Sequence, residues 1–175
     1  MHGFGAAPAV PSPSWLIVFL HGLTFVLHFA AMNVLVASAF HLAFAPRDAP
    51  VLRSRMAAAL PPAFSITITL GVAPLLFLQL IHGERFYASS IQMAWPWLAI
   101  LVVLMLAYYA AYAIDGSFKR GRVPAGWLRG VPFVGLVVFS FVMACNVTLS
   151  ERPDVMATLG EPGWNLAVFQ TNVIW

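Results

Sequence analysis

The sequence predicts an all-α integral membrane protein: a four-helix transmembrane bundle, up-down-up-down, with short loops and both termini outside. Three observations lead there. The 175 residues are 61% hydrophobic and only 9% charged, with a mean hydropathy of +0.87. A water-soluble domain carries about 25% charged residues, so too few charges remain to clothe a water-facing surface, and the bilayer must serve as solvent. Four apolar runs each come close to the roughly 20 residues that a spanning helix needs. The basic residues collect in alternate loops, the pattern of a multi-pass protein.

The first run covers about residues 13–44. It has no basic segment before it and is too long for a signal-peptide core, so it is read as a retained transmembrane helix. Its length predicts tilt or protrusion. Pro46, Arg47, Asp48 and Pro50 stop it. The second run, about 63–82, opens behind Pro61 and Pro62, where a missing N–H costs least. Pro74 should kink it, and His82, Gly83, Glu84 and Arg85 close it. The third run, about 94–114, ends at Asp115, Gly116 and Ser117, and the fourth covers about 131–147. A segment 1–12 and a tail 150–175 flank this domain of residues 13–149 and are expected outside the cytoplasm. Residues 168–175 are apolar but far too short to span. A chain stopping in such a stretch, at Trp175, is expected either to dock on a partner or to continue.

Charge placement orients the bundle. Arg47, Arg53 and Arg55 lie in the first loop, and Lys119, Arg120, Arg122 and Arg129 in the third. The second loop holds only Arg85, and the tail only Arg152. Basic loops stay cytoplasmic, which puts the second loop and both termini outside. Trp15, Tyr87, Trp95, Trp97 and Trp127 fall near helix ends, where interfacial aromatics belong. The net charge of +3 is thus read as topology, and no basic patch interleaved with aromatics suggests nucleic acid. Cys145 is the only cysteine, which excludes an intrachain disulfide and a Cys-x-x-Cys-His attachment of c-type haem.

Ionisable groups inside a membrane are expensive and are functional candidates. The predicted spans contain no Asp, Glu, Lys or Arg. That argues against a proton-coupled transporter or a channel built on charged rings. The histidines remain. His21, His28 and His41 lie on the first helix, and His82 ends the second. His21 and His28, seven apart, share a face about 10 Å apart along the axis, and His41 lies roughly opposite. Imidazole and Met are axial ligands of b-type haem, and Met32, Met93, Met105 and Met143 are available. His28 and Met32, one turn apart, cannot clamp both faces of one macrocycle, so a second ligand must come from another helix or subunit. His28 ranks first as ligand, then His21 and His82. In the structural alternative, His28 bonds a carbonyl, Asn33 or Thr24. Ser65, Thr67 and Thr69 are expected to bond back to backbone or to bridge helices. Gln79 and Asn146, toward the outer side, are candidates for a quinone carbonyl or a haem propionate.

Leu27-His28-Phe29 with Met32-Asn33, and the run from Phe64 to Val72 with Gln79 and Gly83, resemble the first two helices of subunit I of the cytochrome bd quinol oxidases. The run from Asn146 to Pro153 is loosely similar to the end of its fourth helix. More closely, most of the chain resembles uncharacterised bacterial membrane proteins with a Leu-Gly-Val-x-Pro-Leu-Leu-Phe signature, found with multihaem cytochromes c. Leu70 to Phe77 match that signature, and Phe86, Tyr87, Ser89, Ser90, Pro96 and Trp97 match the segment after it. These relatives are longer, which implies an N-terminal half or a split subunit. The oxidase resemblance implies that His28 is a haem ligand on the outer side. The oxidases carry two glutamates on the third helix for the oxygen site, whereas residues 97–114 here hold no acid, which points away from oxygen reduction.

The resulting expectation is a membrane subunit of a respiratory-type electron-transfer complex in the bacterial cytoplasmic (inner) membrane. It would bind or share a haem b through His28 and His21, with His82 and Gln79 as further cofactor-binding candidates. Electrons would pass between membrane quinol and an outward-facing c-type cytochrome, with other membrane subunits as partners. Whether the chain is an enzyme stays open at this stage, a share in a quinol–cytochrome oxidoreductase being the activity considered. A non-catalytic anchor or assembly subunit without its own cofactor is the alternative. A small transporter or photosynthetic-type accessory subunit stands third.

Overall fold

A computed structural model describes residues 13–44, 49–159 and 169. The N-terminal segment 1–12, residues 45–48 with Pro46, Arg47 and Asp48 of the predicted helix stop and, within the tail, residues 160–168 and 170–175 lie outside the described residues. Four helices are long and apolar enough to cross a bilayer: α1 (Ser14–Phe44), α2 (Pro50–Gln92), α3 (Ala94–Lys119) and α4 (Gly126–Ser150). A single turn, α5 (Pro153–Met156), follows, and no strand occurs among the described residues.

The helices outrun the apolar segments that predict them. α2 starts at Pro50, so Pro61 and Pro62 lie inside it and not at its start. Pro50 takes the first helical position, where its ring geometry suits the chain. The residues that follow, rich in Ala, Leu, Met and Arg, are strong helix formers. The predicted end at His82 is a kink instead: His82 has φ −129° and ψ 29°, and the helix then resumes to Gln92. With 43 residues, α2 extends about 65 Å, twice the ~30 Å of a hydrocarbon core. α3 runs through Asp115, Gly116 and Ser117 because Asp115 pairs with Lys119 one turn on, at 2.6 Å. α4 begins at Gly126, which places Arg129 on a helix.

Consecutive helices run antiparallel. His28 and Ser38 of α1 meet Thr67 and Met56 of α2, in descending order. Ala107 and Ile100 of α3 pack at Gly135 and Val142 of α4. Met93 alone joins α2 to α3, fully buried, with its N–H on the Ser89 carbonyl and its own carbonyl accepting from Trp97 N–H.

Two cores result. At the end carrying the basic loops, Leu35, Leu42, Leu60, Phe64, Ile114 and Leu136 interlock all four helices. Phe133 meets Phe40 and Phe44 edge-on at 5.6 and 5.3 Å, tying α4 to the end of α1. At the opposite end the core consists of Met93, Ile100, Val142, Cys145 and Leu149, with Phe169 of the tail packed against it. No α1 residue belongs to this second core. Ile17 is the only buried residue of α1 before Leu35, so the first half of α1 touches the bundle along one narrow seam.

The charges absent from the predicted spans appear at the basic end of the longer helices. Arg129 is buried and its Nη1 donates to the Leu42 carbonyl at 3.4 Å, at the electronegative end of α1. Arg53 is buried over the Phe118 ring, 5.8 Å from its centroid.

A Cβ on Gly135 would lie 2.8 Å from the Ala107 Cβ, so α3 and α4 approach through small residues as membrane helices do. Gly135→Val should destabilise the bundle by about 1–3 kcal/mol through overpacking, read as unfolding in mild detergent. Gly22→Ala, where nothing lies within 4 Å, should leave stability unchanged or slightly raised.

Candidate functional site

The seam between the first half of α1 and α2 is built on His28. Its Nδ1 lies 3.0 Å from the Thr67 carbonyl oxygen. A carbonyl only accepts, so Nδ1 carries a proton, and in the neutral tautomer the lone pair is then on Nε2. Nε2 has no hydrogen-bond partner among the described residues. The Cε1–Nδ1 edge of the ring comes close to α2 because position 71 is glycine: a Cβ there would stand 2.8 Å from His28 Cε1 and 3.0 Å from Nδ1. The bond to the carbonyl is one of the partners the structural alternative named. Thr24 and Asn33 bond back to their own helix instead, at Leu20 and Phe29. It leaves ligation open, since a metal-bound histidine ordinarily gives its second N–H to a carbonyl in this way.

The other candidates spread along the molecule. His21 lies two turns from His28 on the same face, level by the antiparallel register with Pro74 of α2. Its Nδ1 is buried with no hydrogen-bond partner, and its ring is 6.3 Å from that of Phe25. His82 is exposed at the kink, about 22 Å along α2 from Thr67. Its neighbour Gln79 accepts a hydrogen bond from the Tyr87 hydroxyl at 3.2 Å, a bond that bridges the kink. His41 sits at the basic end with Nε2 buried. Asn146, fully buried, donates to Ser90 Oγ at 3.3 Å and holds α4 to α2. Met93 is packed in the second core. Among the described residues, no group of three or more His, Cys, Asp or Glu side chains gathers as a metal site. Among the described residues, the arrangement offers separate imidazole nitrogens spread along the molecule, chiefly His28 Nε2.

Two features escape sequence reasoning. Gly71 is the close approach that seats His28; its signal was a glycine inside a span, one turn from Thr67. The second is a ladder of hydroxyls between α2 and α3: Ser65 Oγ to Tyr108 at 2.6 Å, and Tyr108 to Tyr112 at 3.2 Å. Its signal was two tyrosines four apart, on one face of the third run.

No family model, curated protein or solved structure matches the chain.

Gly71→Ala should push the His28 ring off the Thr67 carbonyl and cost about 1–3 kcal/mol. In a His28→Ala background the same change should cost almost nothing. A double-mutant cycle on unfolding in detergent measures this coupling, and additive effects would show that the ring does not lie on Gly71.

Proposed function

We propose that this protein is the membrane subunit of a respiratory-type electron-transfer complex, and that His28 supplies one axial ligand of a b-type haem shared with a second helical unit. The observation that carries this reading is the His28 seat. An ionisable ring lies within an apolar helix pair, proton-bearing on the side of a backbone carbonyl, with an unpartnered nitrogen on the other side. The Thr67 carbonyl fixes which ring nitrogen carries the proton and orients the ring, as a carbonyl does behind a metal-bound histidine. Gly71 leaves the room that the ring occupies.

The fit is to one ligand, and the rest of the surface agrees with a shared site. Leu23, Phe25, Val26, Leu27 and Phe29 around His28 are all exposed. A half-helix covered on one seam is suited to a further helical unit, which the resemblance to longer relatives also implies. A bound haem would supply one-electron transfer, and the protein would tune it through the ligand, its hydrogen bond and the low dielectric around it. On this reading electrons pass between membrane quinol and an outward-facing c-type cytochrome, with the basic loops in the cytoplasm of a bacterial inner membrane. His21 is the second nitrogen on the same face. Gln79 keeps its amide N–H groups for a quinone carbonyl, its oxygen being held by Tyr87. The uncovered face of α1 equally suits a non-catalytic anchor, in which His28 only joins α1 to α2.

Reduced-minus-oxidised and pyridine haemochrome spectra of the purified complex separate the two. A b-type signal should be present in the wild type, lost in His28→Ala, and retained in His41→Ala. A well-folded intact complex without haem b, or one that keeps it in His28→Ala, would overturn the ligand assignment.

A further inference from the structure

The paired prolines of α2 leave a defect in its backbone. The Ala58 carbonyl would accept from the N–H of residue 62 in an α-helix and of residue 61 in a tighter turn. Both are proline and have no N–H. This oxygen therefore has neither helical donor. Where lipid surrounds a helix, such a group needs a partner.

That carbonyl belongs to a residue lining an open cleft of about 450 Å³ between α2 and α3, at the basic end. Pro61, Pro62 and Ile66 form its apolar wall, and Tyr112, Asp115 and Lys119 its polar side. The hydroxyl ladder of Ser65, Tyr108 and Tyr112 runs along it. Three hydroxyls joined by two hydrogen bonds hold three protons, so one O–H is left over, and it is that of Tyr112 when the ladder donates from Ser65 through Tyr108 to Tyr112. In that arrangement the residues that line the cleft hold one spare hydroxyl donor, on Tyr112, and one backbone carbonyl without a helical donor, on Ala58, beside an apolar wall. Its two charges cancel: Lys119 Nζ is 2.6 Å from Asp115 Oδ2, whose side chain is only 11% exposed. A phosphate would need a free cation and would meet this carboxylate, so an uncharged headgroup is favoured over an anionic phospholipid.

We infer that this cleft between α2 and α3 binds the headgroup of a membrane quinone or quinol, with the Tyr112 hydroxyl donating to a ring carbonyl and the Ala58 carbonyl accepting from a ring hydroxyl. A quinone ring is flat, apolar on its faces and bears carbonyl or hydroxyl groups at its edge, the complement of this lining. The site lies at the opposite end of the molecule from Gln79. Its physiological sense rests on the electron-transfer reading above, although the cleft itself does not involve His28.

The test is photolabelling of the full chain in nanodiscs with a short-chain azidoquinone, with the labelled peptide identified by mass spectrometry. Label should fall on the α2 or α3 peptide containing Ala58 or Tyr112. It should be competed by unlabelled decylubiquinone and unaffected by added phosphatidylglycerol. Loss of one hydrogen bond in Tyr112→Phe, an exposed position that leaves the fold intact by circular dichroism, should weaken labelling about fivefold. Gln79→Ala should not change it. Label elsewhere, displacement by phosphatidylglycerol, or full labelling of Tyr112→Phe would overturn the inference. Labelling of His28→Ala separates the two claims: label kept where haem is absent from the wild type sustains the cleft and removes the haem ligand. Haem present with no label in the cleft does the reverse.

Discussion

One polar contact in an apolar setting ties the first half of α1 to the rest of the molecule: the His28 ring laid on Gly71, with its Nδ1 proton on the Thr67 carbonyl. Between bilayer-exposed helices there is no hydrophobic driving force of the kind that assembles soluble bundles. Close approach and hydrogen bonding must do that work, and on this half of α1 the His28 seat supplies both. The second core contains nothing from α1. The contact that joins the helix is also the one that fixes which ring nitrogen carries the proton. Packing and candidate chemistry therefore share the same three residues.

The backbone of α2 sets the remaining features. Its prolines at 61, 62 and 74 each remove a hydrogen-bond donor, and His82 breaks the helical path. Every such break in a membrane helix leaves a carbonyl that has to be satisfied from outside the helix. The cleft at Ala58 lies at one of these breaks. His21 lies level with another, at Pro74, and the Gln79–Tyr87 bond bridges the kink at His82. The polar features of this apolar chain thus follow the places where α2 departs from a regular helix.

The four long apolar helices were legible because their runs of hydrophobic residues stand out in hydropathy. Histidine stood out because ionisable groups are rare within apolar runs, which made His28 a candidate from the sequence alone. The true extent of α2 was not legible. Pro61 and Pro62 read as punctuation, whereas a helix whose preceding residues are strong formers passes through them. Arg53 and Arg129 were read as loop charges because residues near span ends have no apolar periodicity to mark them as helical. The contact at Gly71 depends on the register between two helices, about which one strand of sequence carries no information. Ser65, Tyr108 and Tyr112 were legible as residues but not as neighbours, for the same reason.

The protonation state of His28 tests the central claim most directly. Nitrogen NMR of the protein labelled with ¹⁵N-histidine, in nanodiscs, distinguishes the two neutral tautomers and the charged ring. The account predicts a proton on His28 Nδ1, held by the Thr67 carbonyl, and loss of that signature in Gly71→Ala. A His28 ring protonated on Nε2 alone would contradict it.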